Sequence, residues 1–147
     1  MLRKKVCAAL VSVAVLLIMV SVEGGASAAA PAGIGYTHGT LGFSVTLPSG
    51  WEGRYLVEEH QKGAWFASIR NEAAGYGGLL FGIELFDHKP ELPTENYELA
   101  RVGGNYYYVS FPGDISWAYG DPALTKEYHD MRKDIEGILK TFRYKAQ

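Results

Sequence analysis

The strongest constraint on this chain is a stripe near its C-terminus. From residue 121 on, Leu124, Tyr128, Met131, Ile135, Ile138, Leu139 and Phe142 recur at helical spacing. At 3.6 residues per turn they occupy an arc of about 100°, while the intervening positions are mostly charged. Such a helix is stable only when its apolar face is buried, so the rest of the chain must supply an apolar surface. Asp121 followed by Pro122 is a start signal, an N-cap ahead of a proline at the first helical position. Glu136 and Lys140 form a favourable i,i+4 pair, and Lys140, Arg143 and Lys145 complement the negative end of the helix dipole. His129 falls on the solvent side.

The upstream sequence supplies strands rather than helices. Leu41 to Leu47 alternates, with Leu41, Phe43, Val45 and Leu47 on one side, and Pro48-Ser49-Gly50 stops it before Trp51. Arg54–Gln61 and Ala64–Arg70 read as a hairpin turning at Lys62-Gly63. In the second of these strands Trp65, Ala67 and Ile69 oppose Phe66 and Ser68. Leu79–Phe86 is apolar on both faces and is expected at the centre of the sheet. Tyr97–Val102 and Asn105–Phe111 form a second hairpin around Gly103-Gly104.

The expected fold is α+β. About six mostly antiparallel strands form one sheet, with the C-terminal helix on one face. Loops or a short helix from 71–78 or 112–120 are expected to cover the other face, where Phe66, Phe86 and Tyr107 would lie.

The first thirty residues are of a different kind. Arg3, Lys4 and Lys5 precede an uncharged run from Val6 to Val22, and Ala26-Ser27-Ala28 and Ala28-Ala29-Ala30 fit small-x-small cleavage sites. Residues 1–28 are therefore expected to be a signal peptide, cleaved near Ala28 or Ala30, with an uncleaved anchor as the rival. Residues 29–40 read as a Gly-rich tether and 41–147 as one globular domain. The leader carries three basic residues and one acid, Glu23, so 11 Lys+Arg and 15 Asp+Glu remain, a net charge of −4. An acidic domain without a basic cluster ahead of its last few residues argues against nucleic acid as a partner. The one cysteine, Cys7, lies in the leader, so the domain relies on its core rather than on disulfides. All 19 Phe, Trp and Tyr lie beyond the leader.

Several motifs carry a resemblance. The opener Gly42-Phe43-x-Val45-x-Leu47-Pro48-x-x-Trp51, then Leu79-Leu80-Phe81-x-Ile83, Tyr107-Tyr108-Val109-x-x-Pro112-x-Asp114 and the close Ile138-Leu139-x-Thr141-Phe142 resemble a group of small secreted bacterial proteins with the PsbP/Mog1-like fold. The resemblance covers most of residues 41–144. It implies a sheet with helices on both faces and favours binding over catalysis; no functional residue of PsbP or Mog1 maps onto this chain.

No dinucleotide fingerprint, P-loop, GxSxG, HExxH or EF-hand pattern is present. No cofactor is expected. Glu58 and His60 can share a strand face, which gives two of the three or four ligands zinc needs. Glu58 and Glu84, read as lying on adjacent strands, are the candidate carboxylate pair for a glycoside hydrolase. The region richest in interface-type residues runs from Tyr106 to Tyr119, with Tyr107, Asp114, Trp117 and Tyr119 as candidate binding residues. In the competing reading Tyr106 and Tyr108 fill the core, Tyr107 supports the loop on the other face, and Trp117 caps it. The expected function is an exported, non-enzymatic domain that binds a protein or envelope component. The alternatives are a small extracellular hydrolase, metal-assisted in one form, and a small-ligand carrier with an apolar pocket beneath the sheet.

Overall fold

A computed structural model describes residues 32–91 and 96–145. The leader and its cleavage sites lie outside the described residues. Eight strands run in chain order: β1 (Gly33–Thr37), β2 (Phe43–Pro48), β3 (Tyr55–His60), β4 (Gly63–Ser68), β5 (Leu79–Phe86), β6 (Tyr97–Val102), β7 (Asn105–Ser110) and β8 (Arg143–Tyr144). A short α1 (Ile69–Asn71) leads into a wide turn over Glu72–Tyr76, and α2 spans Pro122–Lys140.

The α+β class holds, but the strands form two antiparallel sheets rather than one of about six. One has the order β1-β2-β8, the other β3-β4-β5-β7-β6. β5 is the middle strand of five, as its two apolar faces suggested.

The supposed tether contains a strand. β1 pairs with β2 from Gly33↔Pro48 to Thr37↔Ser44. Ile34 and Tyr36 supply the alternating inward side chains, but glycines in the other phase hide the pattern. Gly33 is required by close approach, because a Cβ there would sit 2.5 Å from the Leu47 carbonyl oxygen.

The two hairpin turns also follow from local chemistry. Gln61-Lys62 is the two-residue loop between the paired His60 and Gly63, one residue earlier than expected. Gly103 and Gly104 both have positive φ, the conformation a tight hairpin turn demands.

α2 behaves as its pattern required. The Asp121 carboxylate accepts from the Ala123 and Leu124 amides at 2.8 and 3.0 Å. Leu124, Tyr128, Met131, Ile135, Ile138 and Leu139 are buried. They share one core with Phe43, Val45 and Leu47 of the small sheet and Phe66, Phe81, Ile83, Tyr107 and Val109 of the large one. Trp51 is 1% exposed, and its indole N–H donates to Asp134 of α2 at 2.9 Å. The Tyr128 hydroxyl donates to the Leu79 carbonyl.

A histidine joins the sheets. His38, 3% exposed, holds Nε2 at 2.9 Å from the Gly63 carbonyl oxygen and 3.3 Å from that of His60. Its Nδ1 accepts from the Thr40 and Leu41 amides at 3.2 and 3.3 Å. Two donors facing Nδ1 and two acceptors facing Nε2 select the neutral tautomer with the proton on Nε2. Beside it the Tyr36 hydroxyl donates to Glu59 at 2.8 Å. Burial, then that carboxylate, pushes the Tyr36 phenol pKa up.

Phe66 and Tyr107 do not lie on the far side of the sheet. Phe66 stacks on its cross-strand neighbour Phe81, centroids 4.5 Å apart, inside the core. A register shift after Phe66 turns Leu80 into the same core, where strict alternation would have sent it outward. The segment 112–120 packs toward α2 instead of covering the outer face. The outer face therefore presents Glu58, His60, Trp65 and Glu84, with Trp65 40% exposed.

Candidate functional site

The four candidate binding residues separate into two places. Tyr107 is 2% exposed and belongs to the core. Its hydroxyl donates to the Leu41 carbonyl at 2.7 Å, and its ring packs against Phe43, Phe142 and Tyr144. Burial raises its phenol pKa. The competing assignment of the tyrosines fails on the face but not on the burial of Tyr108: Tyr106 and Tyr108 lie on the outer face of β7, Tyr106 beneath the Arg101 guanidinium and Tyr108, 5% exposed, packed against Phe86. Pairing explains the phase, since Leu85 of the inner face lies opposite Tyr107 and Glu84 of the outer face opposite Tyr108.

Trp117 stacks on Tyr128 at 5.4 Å and meets His129 edge-on at 4.9 Å. It caps the N-terminal half of α2, whereas Tyr107 contacts Phe142 beyond the helix's other end. From Tyr128 the helix runs twelve residues further to its end at Lys140, a rise of about 18 Å. Asp114, Ile115 and Tyr119 stand in solvent near Trp117, with Ile115 56% and Tyr119 69% exposed. Tyr76 meets Tyr119 edge-on at 5.5 Å. Tyr76 joins this surface only through the fold.

The loop that displays these side chains is held from below. Asn71 is fully buried. Its side-chain carbonyl accepts from the Ala118 amide at 2.8 Å, and its amide group donates to the Leu124 carbonyl at 3.3 Å and the Ser68 hydroxyl at 3.1 Å. The Thr125 hydroxyl and the Asp121 amide both donate to the Ala118 carbonyl. The backbone of Ala118 is thus satisfied on both sides, and Tyr119 is presented from a fixed point.

On the outer face Glu58 and His60 do share a side of β3. His60 packs its ring 5.0 Å from Trp65, and its Nε2 is buried without a partner. No cluster of three or more His, Asp or Glu with metal-site geometry forms among the described residues. Glu58 and Glu84 are not on adjacent strands, because β4 runs between β3 and β5. The intervening Trp65 donates its indole N–H to Glu84 at 3.0 Å.

Besides a cleft of about 240 Å³ at Tyr97, Arg132 and Ile135, two clefts at the surface of the described residues matter here. One, about 400 Å³, lies between β2 and α2 and includes Gly33, Pro48, Asp134, Gly137 and Thr141. The other, about 260 Å³, lies on the outer face beside the 72–77 turn. Neither is an apolar chamber beneath the large sheet of the sort a carrier needs.

Comparison with family models, curated proteins and solved structures returns no match for this chain.

Proposed function

We propose that this chain is an exported, non-enzymatic binding domain that docks a protein or envelope component through the surface formed by Tyr76, Asp114, Ile115 and Tyr119. One observation carries the reading. Large apolar side chains stand in solvent on a loop whose backbone is fixed by a buried asparagine. Exposing such groups is costly in solubility and contributes nothing to the core. Their rigid display lowers the entropy lost on association. Trp117 supports the surface from the helix side, and Tyr107 acts in the core.

Export rests on residues 1–28 acting as a signal peptide, and N-terminal sequencing of protein recovered outside the cytoplasm should begin near Ala29 or Pro31. The finer fold assignment, the PsbP/Mog1-like arrangement of small secreted proteins, is supported by the opener that ends in buried Trp51 and by the closing helix.

The test is capture from envelope and culture fractions with the mature domain and with Tyr119→Ala and Ile115→Ala. Both variants should melt like the parent, because neither side chain is buried, and both should lose the captured partner. Unchanged capture by both variants refutes the docking surface.

A further inference from the structure

The outer-face cleft is built differently from the rest of the surface, and its chemistry is specific. Its floor is apolar, from Leu56, Ala67 and Leu79. Trp65 forms a wall, and Glu58 and Glu72 line the remaining sides. We propose that this cleft receives a basic side chain, a lysine ammonium or arginine guanidinium, from the polypeptide that docks on the adjoining Tyr76–Tyr119 surface. The inference rests on the docking reading for the identity of the partner and stands on its own for the chemistry of the cleft.

Three observations carry it. First, the Trp65 wall is preorganised. Its indole N–H is held by Glu84 at 3.0 Å, and the Ser110 hydroxyl donates to the same oxygen at 3.4 Å. The ring lies across Gly82 of the central strand, where a Cβ would stand 2.7 Å from both Trp65 Cδ1 and Ser110 Oγ. Glycine inside a strand weakens it, and here it opens the space that seats an exposed indole. Tryptophan is the best aromatic partner for a cation.

Second, the carboxylates are left without counter-charge. Of the basic residues near in sequence, Arg54 and Arg70 both turn to Glu127, at 3.7 and 2.8 Å, and Lys62 acts on Asp87. Neither Glu58 nor Glu72 has a salt-bridge partner among the described residues, and no basic residue lines the cleft. An apolar floor under two free carboxylates suits a long aliphatic stem ending in positive charge.

Third, the cleft and the docking surface share a boundary. Gly77, in the left-handed region at φ +75°, lines the cleft directly after Tyr76. A chain crossing Tyr119 and Tyr76 therefore reaches the cleft at its Gly77 edge.

The test is a titration of the mature domain followed by the indole N–H resonances of its three tryptophans, with Trp65 assigned through Trp65→Phe. The probes are N-acetyl-lysine methylamide, N-acetyl-arginine methylamide and the neutral N-acetyl-norleucine methylamide. The Trp65 resonance should move saturably with the basic probes, with a midpoint on the order of millimolar for so small a ligand. It should not move with norleucine. Glu58→Gln combined with Glu72→Gln should weaken the response at least about tenfold, since two favourable charge contacts are removed. Tyr119→Ala should leave it unchanged. An equal response to norleucine, or no saturable response to either basic probe, overturns the inference. A partner captured through Tyr119 that binds the Glu58→Gln/Glu72→Gln variant as tightly as the parent overturns it as well. Loss of the docking reading alone would leave the lysine titration intact.

Discussion

Replacing Asn71 by alanine removes a buried side chain that ties α1, α2 and the 111–120 loop together. The Ala118 amide then has no acceptor in a site where Ala118 is 3% exposed. A buried donor left unpaired costs about 1–3 kcal/mol. The bonds to the Leu124 carbonyl and the Ser68 hydroxyl are lost as well, at about 0.5–1.5 kcal/mol each. The total falls at about 2–6 kcal/mol, against the 5–15 kcal/mol or so that a whole domain commands. A loss near 4 kcal/mol lowers the melting temperature on the order of 15 °C for a domain of this size. Urea unfolding followed by far-UV circular dichroism measures it, with the midpoint falling and the slope unchanged. Amide exchange at Ala118 should accelerate in step. A destabilisation below about 1 kcal/mol, or an Ala118 amide as protected as in the parent, refutes the claim that Asn71 fixes the loop. The consequence for binding is separable from stability. Well below its lowered melting point the Asn71→Ala domain should still capture partner, but more weakly, because the loop must be ordered on binding.

Two further outcomes follow from the geometry. His38→Ala removes one polar link between the sheets, beside the Tyr36–Glu59 bond, and takes the imidazole from the Gly63 and His60 carbonyls; the expected loss is about 2–4 kcal/mol by urea unfolding, and a loss under about 1 kcal/mol would show that the sheets do not depend on His38. Asp130 is bracketed by Lys126 and Lys133, whose hydrogen bonds hold its carboxyl at about 2. A depressed carboxylate favours the folded state above the ordinary aspartate pKa and loses that contribution as pH falls toward 2. The side-chain carboxyl resonance should titrate there, and should return to the ordinary aspartate range in the Lys126→Ala/Lys133→Ala variant.

Local patterns announced much of this fold. The N-cap at Asp121, the stripe from Leu124 to Leu139, the Gly103-Gly104 turn and the central place of β5 all rest on spacing and on residues a few positions apart. β1 escaped because glycine at 33 and 35 masks a period of two. The reason for the first of those glycines, a carbonyl 2.5 Å from an absent Cβ, belongs to another strand. The phase of Tyr106, Tyr107 and Tyr108 is hidden in the sequence for a similar cause. Three tyrosines in a row have no apolar–polar contrast, so only the partner strand decides which one turns inward.

The candidate site divided the same way. Tyr119 and Trp117 were visible as interface-type residues, but their separation from Tyr107 depends on which end of α2 each one meets. Asn71 and His38 carried no legible signal, because a buried polar side chain is recognised only by the backbone groups it satisfies. By itself the sequence determined the elements that are periodic or capped: the helix, most of the strands, the Gly103-Gly104 turn and, to within a residue, the first hairpin turn. Tertiary structure alone decided the division into two sheets, the histidine between them, the open outer face around Trp65 and the surface at Tyr119. The physical reason is that periodicity is set by bonds between near neighbours, whereas partition and exposure are set by contacts between segments tens of residues apart.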